Sequence, residues 1–424
     1  MVRFILVCLG FLIAAPAFPV DRVIPTDRVV TGVTLRAGPS TETEALGLLR
    51  PGESLDYEGS VPRWHRVRTP DGHLAYVSAG WSEIVSDPDT APYRFHVVDV
   101  GTGLALILEG EDVLLVYDGG SNDDRRTGPN NRLSAYIAAR LPGRTVIDHV
   151  ILSHPHRDHV ELLPDLFASH EIRHVWDSGR INCTSGYEAF LAAVAAEPRV
   201  SYHTVLQNFG THEAVFDDSV CDSPDTPPAS FSIPASSRID DAPIALGPGA
   251  SLVFLHADGA PHPSPNENSL VVRLDLNGTR ILLMGDAEAG GRRLPGEAPD
   301  PHSIEGLLLE CCLASLDADI LVAGHHGSLT SSRDAFLDAV EADHFVISSG
   351  PIRYGKVVLP DAAIVTSMEG RGMLWRTDLD DVACAKSPDK IGSDADGRAG
   401  GCDHIIFEIA PDGSVTAGYA RAGD

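Results

Sequence analysis

Four side chains able to bind metal fall within six residues at His154-Pro155-His156-Arg157-Asp158-His159. Imidazole nitrogens and a carboxylate oxygen suit zinc and its first-row neighbours, and this H-x-H-x-D-H spacing offers two offset pairs that can face two adjacent ions. The chemistry this predicts is metal-dependent hydrolysis. A cation lowers the pKa of bound water towards neutrality and offsets negative charge on a phosphoryl or acyl oxygen in the transition state. Two further segments have the same plan. Leu282-Leu283-Met284 runs into Gly285-Asp286-Ala287-Glu288, where the carboxylate of Asp286 leaves an apolar run at a glycine turn and can bridge two ions. Ile320-Leu321-Val322 empties into Ala323-Gly324-His325-His326-Gly327-Ser328, which brings His325 beside whatever the first two segments bind.

Such groups need rigid supports. Residues 145–152 are mostly apolar and β-branched, so they read as a buried strand ending at the histidine cluster. Residues 93–100, 104–109 and 113–117 read as strands and 132–141 as a helix. Downstream, helical patterns at 160–169, 187–196, 304–316 and 333–340 alternate with strand patterns. Two sheets covered by outer helices, an α+β arrangement, fit this order. Residues 207–249 are polar and Pro-rich and read as an irregular insertion, a place for substrate selectivity.

Sixty Asp and Glu against 32 Lys and Arg give a formal charge of -28. Such a chain repels polyanions, so free nucleic acid is a disfavoured partner unless a basic groove or bound metal compensates locally. Met1-Val2-Arg3, the apolar run that follows and Ala15-Pro16-Ala17 read as a signal peptide over 1–17, so a secreted or periplasmic location is expected. No later stretch reaches the ~18 apolar residues of a membrane span. Six cysteines follow that segment. In an oxidising compartment Cys183 with Cys221 and Cys384 with Cys402 are favoured as local bridges, while Cys311 and Cys312 read equally well as free buried thiols.

Residues 29–85 form a separate unit of short β-runs between Gly and Pro turns, and 86–93 are linker-like. Leu35-Arg36-Ala37-Gly38-Pro39-Ser40, Leu49-Arg50-Pro51-Gly52-Glu53, Trp64, Val67, Pro70-Asp71-Gly72 and Tyr76-Val77 resemble a bacterial SH3-type domain. That resemblance implies a small β-barrel and contact with cell-wall peptides or the enzyme domain. Trp64 and Tyr76 read chiefly as barrel core.

The three polar segments, with Val97-Val98-Asp99-Val100 and Gly101-Thr102-Gly103-Leu104-Ala105, resemble the metallo-β-lactamase superfamily, and within it the hydrolase domain of the competence DNA-uptake channel and its secreted relatives. The resemblance spans residues 93–424 and implies an αββα two-sheet sandwich behind the SH3-like barrel. It also implies two divalent ions, zinc or alternatively manganese. His154 and His156 would hold one and Asp158 and His159 the second, with Asp286 bridging and His325 completing the second ion's ligands. Asp158 and His326 would serve catalysis, His326 by orienting substrate or leaving group.

Two departures stand out. No residue clearly matches the further histidine that relatives place between the cluster and the bridging aspartate; His256, His262 and Asn268 are candidates. Lys356 stands where relatives often carry a histidine. Asp118 reads either as a turn residue or as the partner that orients a ligand histidine, and Arg376 either as a surface ion pair or as a phosphate contact. The substrate class expected is a small molecule or cell-envelope component, a phosphodiester first and a carboxylic ester, lactone or β-lactam second. An inactive cell-wall binding protein is the third reading.

Overall fold

The computed structural model describes residues 22–26, 28–51, 53–69, 73–85, 91–124, 128–206, 210–217, 220–221, 228–379 and 404–420. The expected signal peptide, Cys384 and Cys402 lie outside them. The chain divides into two compact units, Met1–Asp89 and Thr90–Asp424. Among the described residues no helix is long and apolar enough to cross a membrane.

The first unit is a seven-stranded antiparallel sheet curled over a small core of Val23, Val33, Leu35, Leu49, Leu55, Val67, Ala75 and Val77. Alternation puts Val67, Ala75 and Val77 inside. Trp64 and Tyr76, read from sequence as core, are only half-buried, because they fall on the other phase of that alternation.

The second unit has four layers. One sheet runs in the order Gly210–Phe216, Ala229–Arg238, Ser201–Thr204, Glu171–Asp177, Val146–Leu152, Leu114–Gly119, Ala105–Glu109, Tyr93–Val97, Ile405–Ile409, Val415–Tyr419. The other runs Ile244–Gly247, Ala250–His256, Val271–Leu276, Thr279–Leu283, Ile320–Val322, His344–Ile347, Met373–Arg376. The period-two alternation of each strand feeds two cores at once. Leu115, Tyr117 and Ile151 face Leu252, Val272, Ile281, Leu283 and Val322 between the sheets. On the outer faces Leu114, Val116, Val150 and Leu152 meet Leu133, Ile137, Phe190 and Leu191 of helices Arg132–Arg140 and Ser185–Ala196. Leu282, Leu321 and Phe345 meet Leu308, Phe336 and Ile364 of three helices on the far side. Each of these buried side chains contributes roughly 1.5–3 kcal/mol.

Caps begin the helices where the sequence supplies them. Asn131, Thr184 and Ser303 each accept a hydrogen bond from a backbone N–H in the first turn. The helix expected at 160–169 is instead a single turn, Arg157–Val160, and a 3-10 segment, Leu163–Ala168; Pro164 at its start lacks the N–H that a continuous helix would use. The stretch expected to be irregular holds a hairpin. Gly210–Phe216 pairs antiparallel with Ala229–Arg238, which joins the sheet edge beside Ser201–Thr204. Phe216 and Ile233 are buried by the alternation that the Pro-rich composition obscured. Cys183 is bonded to Cys221 and Cys311 to Cys312. The second pair is exposed and half-exposed rather than in the core.

Three histidines stack across the first sheet. His149 pairs with His174 and Trp176 with His203 in the strand register, and the Trp176 and His203 rings lie 3.8 Å apart. The Trp176 indole donates to His149 Nδ1 at 3.1 Å. Burial and neighbouring histidines push His149 and His203 down to about 4. Both are neutral in the fold but bind protons readily once unfolded. Their contribution to stability is therefore complete above the ordinary value of 6.5 and is lost as pH falls from there through about 4. Denaturant melts across this range are expected to lose a few kcal/mol, with a shallower slope in His203→Gln; an unchanged slope refutes the assignment.

Candidate metal centre

Parallel strands end on the same edge of their sheet, so the loops that leave them meet there. Val146–Leu152 ends at Ser153 and His154, beside Leu114–Gly119, whose end carries Asp118. Thr279–Leu283 and Ile320–Val322 are likewise parallel and deliver Asp286 and the paired histidines. Backbone bonds tie the loops together: Leu270 N–H donates to the Ser153 carbonyl at 2.9 Å, Leu104 N–H to that of Asp158 at 2.9 Å, and His325 N–H to that of Gly285 at 3.1 Å. Close approach needs glycine at two places. A Cβ on Gly285, at φ +54, would lie 2.7 Å from Ser153 Cβ, and one on Gly120 would lie 2.2 Å from His159 N.

The six residues named from sequence as ligands come together, with His326 among them. His154, His156 and Asp286 form one group and Asp158, His159 and His326 another, the donor atoms of each lying within 4.8 Å of one another. Asp286 stands between them. Its Oδ1 is 3.1 Å from His159 Nε2 and 3.5 Å from His326 Nε2, and its Oδ2 is 3.6 Å from His154 Nε2. Asp286 is only 2% exposed, and among the described residues its buried Oδ1 has no hydrogen-bond partner. Burying a carboxylate oxygen is costly unless positive charge lies beside it, and the nitrogen-rich pocket around this one fits a divalent cation.

The electrostatics agree. Burial raises the pKa of Asp286, yet His159, His325, His326 and His154 outweigh it and hold the carboxyl well below its usual range. Burial drives His154 well below the ordinary imidazole value. For His159 burial acts the same way, but Asp286 and Asp118 overcome it and raise the pKa well above that value. A proton there occupies the place that a cation would take.

The two adjacent histidines depart from expectation. His326, expected to orient substrate, has its Nε2 3.2 Å from His159 Nε2 inside the second group. His325, expected to complete that group, lies instead on the other side of Asp286, its Nε2 3.7 Å from Oδ2. The reason is local. His325 and His326 have φ of 47 and 53, and this left-handed turn between Gly324 and Gly327 splays the two rings apart.

A ring of partners orients the donors. Asp118 accepts from His159 Nδ1 at 2.8 Å and from the amide and hydroxyl of Ser153, each at 2.7 Å. This is the orienting alternative for Asp118, and its φ of +57 is the turn geometry as well. His326 Nδ1 lies 2.8 Å from the Ser348 carbonyl. Sequence reading missed Tyr354, Asn122, Glu288 and Thr330. The Tyr354 hydroxyl donates to Asp158 Oδ2 at 2.6 Å, and Asn122 Nδ2 donates to the same oxygen at 2.9 Å. Tyr354 sits two residues before Lys356, which is itself exposed.

None of the candidates for a further ligand belongs to either group of donors. His256 Nδ1 lies 2.9 Å from the Ser269 carbonyl, His262 pairs with Asp258 at 2.6 Å, and the Asn268 amide donates to the carbonyls of Asp258 and Ala260. Arg376 is clasped by Asp378 through two bonds, the ion-pair alternative.

Beside the cluster, a cavity of about 320 Å³ is lined by Pro155, Arg180, Leu206, His212, His262 and Asn268. Its wall is pinned by the Cys183–Cys221 bond and by Asn182 Nδ2, which donates to the Pro155 carbonyl at 2.8 Å. Among the described residues the Arg180 guanidinium has no partner, and buried His212 Nε2 has none. The first unit has its own cavity of about 440 Å³, lined by Arg28, Arg36, Trp64 and Trp81 among others.

Residues 98–350, more than half of the chain, match the metallo-beta-lactamase superfamily. The chain belongs to that superfamily. Residues 31–83 match the bacterial SH3 domain family, so the first unit is an SH3-type domain. A curated relative, competence protein ComA of Neisseria gonorrhoeae, is 32% identical over 132 residues, which is 31% of this chain and 17% of that protein's length. Similar solved structures include YhfI of Bacillus subtilis (13% identity, 68% of this chain and 97% of that one, TM-score 0.39) and the short form of human tRNase Z (14%, 61% and 92%, TM-score 0.33). CmlA of Streptomyces venezuelae, a diiron β-hydroxylase, is 13% identical over 71% of this chain and 55% of its own, with a TM-score of 0.38.

Partners that fix a metal ligand typically govern affinity or activity by about 10–100-fold. Asp118→Ala and Tyr354→Phe are each expected to weaken divalent-metal binding at the candidate group of Asp158, His159 and His326 by about that factor, read by zinc titration of folded, metal-free protein. Unaltered binding in both would show that these contacts only support the fold.

Proposed function

We propose that this chain is an exported phosphodiesterase that works with two divalent metal ions, zinc or alternatively manganese. The reading rests on one observation: a single buried carboxylate, Asp286, presents its two oxygens to two separate groups of imidazole and carboxylate donors. Cations bound there would supply an acidified water as nucleophile and would offset charge on the attacking and leaving oxygens of an in-line displacement. Asp158 would accept a hydrogen bond from that water, and Tyr354 and Asn122 keep its carboxylate in place. Asp118 keeps the Nε2 of His159 turned to the centre.

A phosphodiester is preferred to a neutral ester because of the adjoining cavity. In a chain of net charge -28, an arginine that lines that cavity and has no partner among the described residues favours an anionic substrate over a neutral one. The substrate is a small molecule or a cell-envelope component, and the arginines and tryptophans of the SH3-type unit offer a contact for peptidoglycan peptides. The competence protein among its relatives is compatible with an envelope setting.

Zinc- or manganese-loaded protein is expected to cleave bis-p-nitrophenyl phosphate, to lose that activity with a chelator, and to leave nitrocefin intact. Asp286→Asn should lower turnover by at least about 100-fold, more than the loss of an outer partner does. Arg180→Ala should raise KM for anionic diesters by about tenfold, the value of one charge-assisted hydrogen bond, with a smaller change in kcat. Cleavage of nitrocefin or a carboxylic ester in place of the diester would move the assignment to acyl chemistry. A metal-free protein retained on peptidoglycan would make it a binding protein.

A further inference from the structure

We infer that His325 supplies the third imidazole of the ion site formed by His154 and His156, so that the two consecutive histidines of one turn serve two different ions. The inference rests on the two-ion reading above. It goes beyond that reading by assigning the ligand that the sequence left open among His256, His262 and Asn268.

The first argument is the side of Asp286 on which each ring lies. His326 approaches Oδ1 at 3.5 Å, the oxygen that faces His159. His325 approaches Oδ2 at 3.7 Å, the oxygen that faces His154 at 3.6 Å. The two imidazoles therefore straddle one carboxylate at nearly equal distances.

The second argument is how the His325 ring is held. Its Nδ1 lies 2.6 Å from Thr330 Oγ1 and 3.0 Å from Glu288 Oε1, and the Glu288 carboxylate is itself held by Asn266 Nδ2 at 3.0 Å. This chain of partners leaves Nε2 directed at the centre, the arrangement by which a carboxylate fixes the tautomer of a ligating histidine. His326 has an equivalent anchor in the Ser348 carbonyl.

The third argument is the backbone. Left-handed φ at two successive non-glycine residues is costly, and such strain persists where the surrounding structure enforces it for function. Here it turns neighbouring rings to opposite sides, and Gly324 permits it, since a Cβ there would meet the Ala287 carbonyl oxygen at 2.7 Å. His325 is not in the group of His154, His156 and Asp286, so the assignment requires its ring to close inward when an ion binds.

Zinc retained per chain after gel filtration tests this without reference to activity. Wild type should keep two equivalents and His325→Ala one, while His256→Ala and His262→Ala should keep two. Pairing separates the sites. His325→Ala combined with His156→Ala should still keep one equivalent, because both changes strike the same ion. Combined with His159→Ala it should keep none. The reverse pattern, or two equivalents in His325→Ala, overturns the assignment, as does failure of the wild type to bind zinc at all. If the variants do not fold, zinc-edge anomalous diffraction from wild-type crystals decides: His325 Nε2 should lie about 2.0–2.1 Å from the ion held by His154. Inactive protein with this zinc pattern would refute the phosphodiesterase reading and leave the ligand assignment standing.

Discussion

The burial of one carboxylate governs the second unit. Asp286 lies almost out of solvent, where its charge is opposed by desolvation, and it stays ionised because imidazoles surround it on both sides. Asp286 comes from the end of one sheet and the H-x-H-x-D-H turn from the end of the other, so the compensation exists only when the two sheets pack. Fold and centre are therefore one problem. The inter-sheet core of Tyr117, Ile151, Leu283 and Val322 lies beneath the same strand ends that carry the polar groups.

Apolar strands and polar ends have different tasks here. The strands are rigid because both their faces are buried, so their last residues are positioned to within the tolerance that a metal site demands. The loops then need special backbone. Gly285 and Gly120 allow approach that a Cβ would forbid, and the strained His325-His326 turn converts adjacency in sequence into opposite placement in space. Around them Asp118, Ser348, Glu288, Thr330, Asn122 and Tyr354 hold the donors still.

Much of this was legible in the residues. The ligand-bearing segments announced themselves as polar clusters following apolar runs, and the two-sheet sandwich followed from the order of strands and helices. Less legible was the hairpin at 210–216 and 229–238, where Pro and Ser hid an alternation that buries Phe216 and Ile233. Trp64 and Tyr76 were read as core from their type, whereas their phase in the strand leaves them half-buried. Cys183 and Cys221 form the local pair that was favoured, while the bond between Cys311 and Cys312 joins neighbours whose apolar context left pairing and free thiols equally open.

The sequence alone determined which chemical groups are available and which strand ends carry them, because side-chain type and hydrophobic periodicity are local properties. Only tertiary structure decided how those groups are shared. Which oxygen of Asp286 faces which histidine depends on the angle between loops leaving two different sheets. The side on which His325 and His326 fall depends on backbone dihedrals that Gly324 and Gly327 merely permit. Tyr354 and Asn122 meet at Asp158 from positions 232 residues apart, a convergence that packing alone produces.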